Sequence, residues 1–180
     1  MKESGKNDRK KDKPVAKGLH DLFTEQLKDI LGAERAIYEA MPKMLKNASS
    51  EDLIAALDKH RGQTENQIKR LQKVFESIGL EVEAKQCEAM EGLLKEAESS
   101  MKDTESGMVR DAAIIASAQK IEHYEIATYG TLSAFAHTLE EMDAYDLLEE
   151  TLDEEKDTDL LLTEIAEARI NIEAIEGSKE

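Results

Sequence analysis

Two glutamates three residues apart interrupt an otherwise apolar helical pattern. They lie in the stretch KIEHYEIATYGTL, residues 120–132. With side chains placed at about 100° per residue, Glu122 and Glu125 share a side with Ile115, Ala118, Ile126, Tyr129 and Leu132. The same placement finds polar groups on apolar faces in three more segments. Glu34 sits at the centre of a face made by Phe23, Leu27, Ile30, Ile37, Met41 and Leu45. His60 sits among Leu53, Ala56, Leu57, Leu71, Val74 and Ile78, with Gln63, Thr64 and Gln67 close by. Glu155 and Asp159 fall on the face of Leu148, Leu152, Leu162 and Ala166.

Any one of these residues alone reads as a boundary residue or a hydrogen-bonded core group. The set does not. Burying one unpaired ion costs several kcal/mol, and no Lys or Arg occupies these faces at that level. Compensation must come from protons or from metal ions. Protonation would neutralise two or three of the acids. Two divalent cations would neutralise four of the five charges and use the oxygens as bridges. Carboxylates with an imidazole suit iron or manganese better than zinc. The candidate metal ligands are therefore Glu34, His60, Glu122, Glu125, Glu155 and Asp159. Gln63 and Thr64 are weak ligands or supporting groups. Tyr38 and Tyr129 lie near the site and could orient carboxylates or donate an electron, beside the plainer role of packing with a satisfied hydroxyl. His123 flanks the face and suits a hydrogen bond to a neighbouring helix.

The elements that must position these residues are helical. Ala, Leu, Glu, Lys and Ile dominate, all compatible with helix, and no period-2 alternation argues for a sheet. A first helix is predicted over Leu19–Lys46, kinked in its last turn by Pro42. Ser49 or Ser50 is the start signal of a second helix, which ends near Ile78 with Gly79 as the residue that closes it. Residues 80–107 form a long connection holding a short helix, CEAMEGLLKEA, and a polar stretch, ESSMKDTESG. A third long helix spans Met108–Ala136. After HTLEEM, Asp143 is the candidate N-cap of a fourth, Ala144–Ile175. Two hairpins joined by one long connection predict an all-α, ferritin-like antiparallel four-helix bundle. Glu34 and His60 are nearly equidistant from the turn at 47–49, as are Glu122 and Glu155 from the turn near 139. In antiparallel hairpins this places all four at one height.

Charge narrows the partners. The chain of 180 residues carries a formal −16, enough length for one ordinary domain. Residues 1–17 hold a net +4, leaving −20 on the rest. Such a body repels nucleic acid and anionic membranes, and the tail reads as a solvated, flexible lead-in to a bundle over residues 18–175. No apolar run suits a secretory signal or a membrane span. Cys87 is the lone cysteine, which excludes an internal disulfide and fits a reducing cytoplasm. It reads as a packed thiol.

The motifs AERAIYEAMPKM, LDKHRGQTENQIKRLQKVF, CEAMEGLLKEA, RDAAIIASAQKIEHYEIATYGTL and ETLDEEKDTDLLLTEIA resemble the YciE/YciF-type ferritin-like proteins over roughly residues 18–170. That resemblance implies a bacterial stress-response protein with a dimetal site and ferroxidase activity. Its ligand positions coincide with the six residues the helical faces select. Ferritin-like di-iron proteins usually carry Glu-x-x-His on two helices, and this chain has none. Gln63 stands where an acid is expected, three residues after His60.

The expected function is that of a dinuclear, iron-bearing protein acting on O2 or hydrogen peroxide. A dimanganese, catalase-like enzyme is the second reading. A non-catalytic stress protein with a structural or vestigial metal site is the third. A storage cage is disfavoured, because no further helix follows the fourth. Gly32 and Gly62, opposite the site residues, would permit close approach of a second subunit, and a homodimer is expected.

Overall fold

The computed structural model describes residues 15–176, and the basic tail is described only from Val15 onward. All regular structure among these residues is helical: α1 (Leu19–Asn47), α2 (Glu51–Ser77), α3 (Glu88–Lys102), α4 (Met108–Thr138) and α5 (Met142–Ile165). A π-helical turn, Ala166–Ile170, then leads into α6 (Asn171–Glu176). None of these helices is long and apolar enough to cross a membrane.

Side-chain pairs fix how the long helices run. Ser49 meets Asp111 and Glu34 meets Tyr129, so α1 and α4 are antiparallel. Gln67 meets Glu155 and Arg70 meets Glu150, so α2 and α5 are antiparallel as well. Gln119 with Thr163 and Ser133 with Glu149 give the same answer for α4 and α5. The turn 48–50 makes α1 and α2 an antiparallel hairpin. It follows that α2 and α4 run parallel on the bundle's diagonal. The chain must therefore travel back along the bundle between them. At 1.5 Å per residue α2 is roughly 40 Å long, which no short loop spans. Residues 78–107 make this crossing, and α3 within it packs on α1 and α4.

The core lies between the four long helices. Phe23, Leu27, Ile30, Leu31, Ile37, Met41 and Met44 of α1 are buried. Met44 takes the place expected of Leu45, which is half-buried. Helix α4 contacts α1, α3 and α5, which explains apolar residues on more than one side of it.

Caps largely follow the sequence. Ser50 caps α2 by accepting from the Leu53 N–H. Gly79 has a φ of 70° and its N–H donates to Glu76 O. Two boundaries differ from expectation. Helix α5 begins at Met142 rather than after Asp143, because Glu140 adopts a φ of 62° and the Glu141 N–H returns to Ala136 O at 2.9 Å. That closure reverses the chain without a side-chain cap. Helix α3 runs on to Lys102 through the polar stretch, because Met90, Ala97 and Met101 form one buried stripe. Cys87 caps α3: its Sγ accepts from the Met90 N–H at 3.4 Å.

The fourth long helix also contains a wider turn where an unbroken α-helix is expected. Leu162, Ala166 and Ile170 are all buried and spaced by four. A π-turn keeps that spacing on one line, where 3.6 residues per turn would let it drift. Gly32 is met by its own chain: a Cβ there would lie 1.7 Å from the Lys85 carbonyl oxygen. The Lys85 N–H donates to Lys28 O at 2.9 Å, which fastens the crossing segment to α1.

Candidate metal centre

Helices α2, α4 and α5 bring His60, Glu122, Glu125 and Glu155 together, with one ligand atom of each lying within 4.8 Å of the others. The i, i+3 spacing of Glu122 and Glu125 puts both on the inner side of α4. Glu34 of α1 lies beside them, and Tyr129 of α4 donates to its Oε1. All five residues are buried, none more than 3% exposed.

The group is short of donors. Among the described residues, no Lys or Arg forms an ion pair with Glu34, Glu122, Glu125 or Glu155. His60 Nε2 is 3.2 Å from Glu122 Oε1 but is not aligned for a hydrogen bond. Glu34 Oε2, Glu122 Oε2, Glu155 Oε2, both Glu125 oxygens and both His60 nitrogens lack hydrogen-bond partners. With Gln67 Oε1, these make up every such buried side-chain atom among the described residues except the Nε atoms of Arg61 and Arg110. Native interiors leave few such atoms, and here they converge on one point.

Electrostatics agrees with the geometry. Burial, and next the charge of Glu155, hold the carboxyls of Glu34, Glu122 and Glu125 well above the usual carboxylate range. Burial pushes the His60 imidazole down, so it favours the neutral form, with a lone pair to offer. Burial, then the Glu34 and Glu125 charges, raise the Tyr129 hydroxyl, which keeps it a donor. Oxygen and imidazole donors without thiolate are ligand types that a divalent metal ion accepts. The arrangement can hold a metal ion, which would neutralise the charge and use the free lone pairs at once.

Supporting contacts reach outward from Glu155. Gln67 donates to Glu155 Oε1 and, at 2.9 Å, to Glu154 Oε2. Arg70 holds both Glu154 oxygens at 3.0 Å and donates to Thr151 at 2.9 Å. Gln67 shares the α2 face two turns after His60. What the sequence did not disclose is that Glu155 stands opposite it. Asp111 had no sequence signal at all. It is fully buried and accepts from the Ser49 and Ser50 N–H groups at 2.9 and 2.7 Å and from the Ser49 hydroxyl at 2.7 Å.

The remaining predicted residues lie outside the group. Asp159 takes the exposed His123 ring at 3.2 Å and Gln119 at 3.2 Å. Thr64 is buried but bonds the His60 carbonyl of its own helix at 3.0 Å. Gln63 is half-buried. Tyr38 lies beneath the Arg61 guanidinium, 4.8 Å from its ring centre. Cys87 is buried with its Sγ 3.1 Å from the Tyr124 hydroxyl, and burial raises the thiol.

A family model described as "Domain of unknown function (DUF892)" matches residues 18–175. Protein YciF of Escherichia coli strain K12 is 44% identical over 159 residues, which is 88% of this chain and 96% of YciF. The crystal structure of YciF, which is called a stress protein, matches at a TM-score of 0.83 over 87% of this chain and 99% of its own. YcfI of Rhodopseudomonas palustris matches at 41% identity and a TM-score of 0.80, over 82% of this chain and 94% of its own. A protein of Xanthomonas campestris pv. campestris shares the fold at 20% identity and a TM-score of 0.71, over 91% of this chain and 100% of its own. With its helical bundle, its buried His60–Glu122–Glu125–Glu155 group and these matches, the chain belongs to the YciF-type DUF892 family.

Proposed function

We propose that the chain is a ferritin-like, dinuclear carboxylate protein that uses iron to reduce O2 or hydrogen peroxide in a stress response. The observation that carries this reading is the convergence of buried, donor-free carboxylate oxygens and a neutral imidazole at one height in the bundle. His60, Glu122, Glu125 and Glu155 would hold one ion. Glu34, with Oε2 free of donors, would join Glu122 and Glu125 in holding a second. Bound there, ferrous ions would supply the electrons to the oxidant and become ferric. The chain's own part is to hold and shield. Tyr129 orients Glu34, Gln67 orients Glu155, and burial excludes bulk water. The parallel diagonal of α2 and α4 is the arrangement that ferritin-like connectivity requires. Similarity to a protein called a stress protein supports the physiological setting.

A specific observation favours a second reading, a single structural ion. The compact group has four members, and Asp159 is engaged with His123 and Gln119 instead. Elemental analysis of protein purified without added metal distinguishes two ions from one, and iron from manganese. The expected result is two iron ions per chain. Ferrous-dependent oxygen or peroxide consumption should exceed that of free iron and collapse in Glu122→Ala. Activity no greater than that of free iron would remove the ferroxidase reading.

A further inference from the structure

Helix α3 covers a part of the bundle that the metal ligands leave unexplained. Beneath it lies a cavity of about 10 Å³, about the least that holds one water-sized molecule. Ile37, Met41, Leu57 and Ile121 wall it, and His60 and Glu122 are the only polar residues in its lining. Met44 and Leu94 line it too, and both also line a larger groove of about 370 Å³ between α1 and α3. These two side chains therefore stand between the outside and the candidate metal centre. Met44 is unbranched and can change rotamer at little cost. Leu94 is only half-buried.

The chemistry of the walls selects what can pass. Hydrogen peroxide or a hydrated cation would shed hydrogen bonds to water and find no replacement before His60 and Glu122. A neutral, apolar diatomic sheds none. The groove's rim mixes Glu39, Glu91 and Glu98 with Lys43 and Lys95, and Lys43 pairs with Glu98 at 2.7 Å across α1 and α3. Such a rim neither gathers cations nor repels a neutral gas.

We propose that this groove and cavity form an entry path for O2 to the His60–Glu122 side of the centre, parted by Met44 and Leu94. Of the two oxidants of the proposed reaction, O2 is then the one that this path admits. The assignment of O2 rests on the redox-metal reading above, whereas the expected entry of an apolar gas into the cavity does not.

Xenon tests the path without any metal. Crystals of the metal-free wild-type protein under xenon pressure should show a xenon atom between Ile37, Ile121 and Glu122. The atom should be lost in Ala118→Phe, which fills the cavity, and in Leu94→Trp, whose half-buried site tolerates bulk if the first variant fails to fold. A wild-type cavity that stays free of xenon overturns the proposal. In iron-loaded protein, Leu94→Trp should slow oxidation by O2 about tenfold, with anaerobic Fe(II) binding and the peroxide reaction unchanged. Equal slowing of both oxidants, or of neither, overturns the path. Iron-loaded wild type that reacts with neither oxidant refutes the ferroxidase reading instead, and the xenon result then decides the gas site alone.

Discussion

Glu155 receives its one hydrogen bond from Gln67, and that contact separates positioning from ligation. Gln67→Leu leaves Glu155 Oε1 without a donor and lets the carboxylate rotate. Metal affinity should fall about tenfold or more while helical content stays unchanged, as read by calorimetric titration and circular dichroism. Asp159→Ala should cost less affinity than Glu155→Ala, since the Asp159 carboxylate serves His123 and Gln119. Asp111 is the other residue whose role is singular. Its carboxylate satisfies two backbone N–H groups and a hydroxyl at the α1–α2 turn. Removing it strands those donors, so Asp111→Ala should destabilise the protein by about 3 kcal/mol in urea unfolding.

At the scale of elements, the crossing segment is the piece that lets α2 and α4 run parallel. It is fastened at Gly32, where the Lys85 carbonyl occupies the space of a side chain. Gly32→Ala must push that strand of chain off α1. The expected cost is about 2 kcal/mol or more, with loss of the Lys28–Lys85 backbone bond visible as faster amide exchange at Lys85. A silent Gly32→Ala would mean that the segment is held elsewhere. The two hairpins themselves follow local rules. Ser50 and Gly79 act where their residue types predict. The α4–α5 turn does not, because Glu140 takes a left-handed conformation that no glycine or asparagine announces.

For the whole molecule, the site predicts a stability that depends on pH and on metal together. The Glu34, Glu122 and Glu125 carboxyls are raised in the fold. Their contribution is fully present below about pH 4.5, the unfolded value, and is lost as pH rises through the raised values. His60 is lowered and acts oppositely, losing stability as pH falls below about 6.5. Three groups outweigh one. Chelated protein should therefore melt at a lower temperature at about pH 8 than at about pH 5.5. Divalent metal should reverse the trend, because it binds the ionised carboxylates and stabilises only the folded state. Melting curves with chelator and with metal check both signs. A chelated protein whose melting temperature rises with pH contradicts this account.

Much of this was legible in the chain because helical periodicity is local. Placement at fixed angles found the buried faces of all four long helices, and it found Glu34, His60, Glu122, Glu125 and Glu155 on them. Equal distance from two turns was enough to set their common height. The contacts that decide which carboxylates converge are not local. Asp159 shares the face of Glu155, yet α4 presents His123 and Gln119 to it, and no spacing within α5 encodes that. Gln67 and Asp111 act on residues roughly 60 to 90 positions away, so only the packing of one helix on another assigns their partners. The apolar path beneath α3 belongs to the same class. By itself the sequence determined the helices, their inward faces and the types of donor at one level. Tertiary structure alone decided which donors meet, which are held, and what stands between them and the solvent.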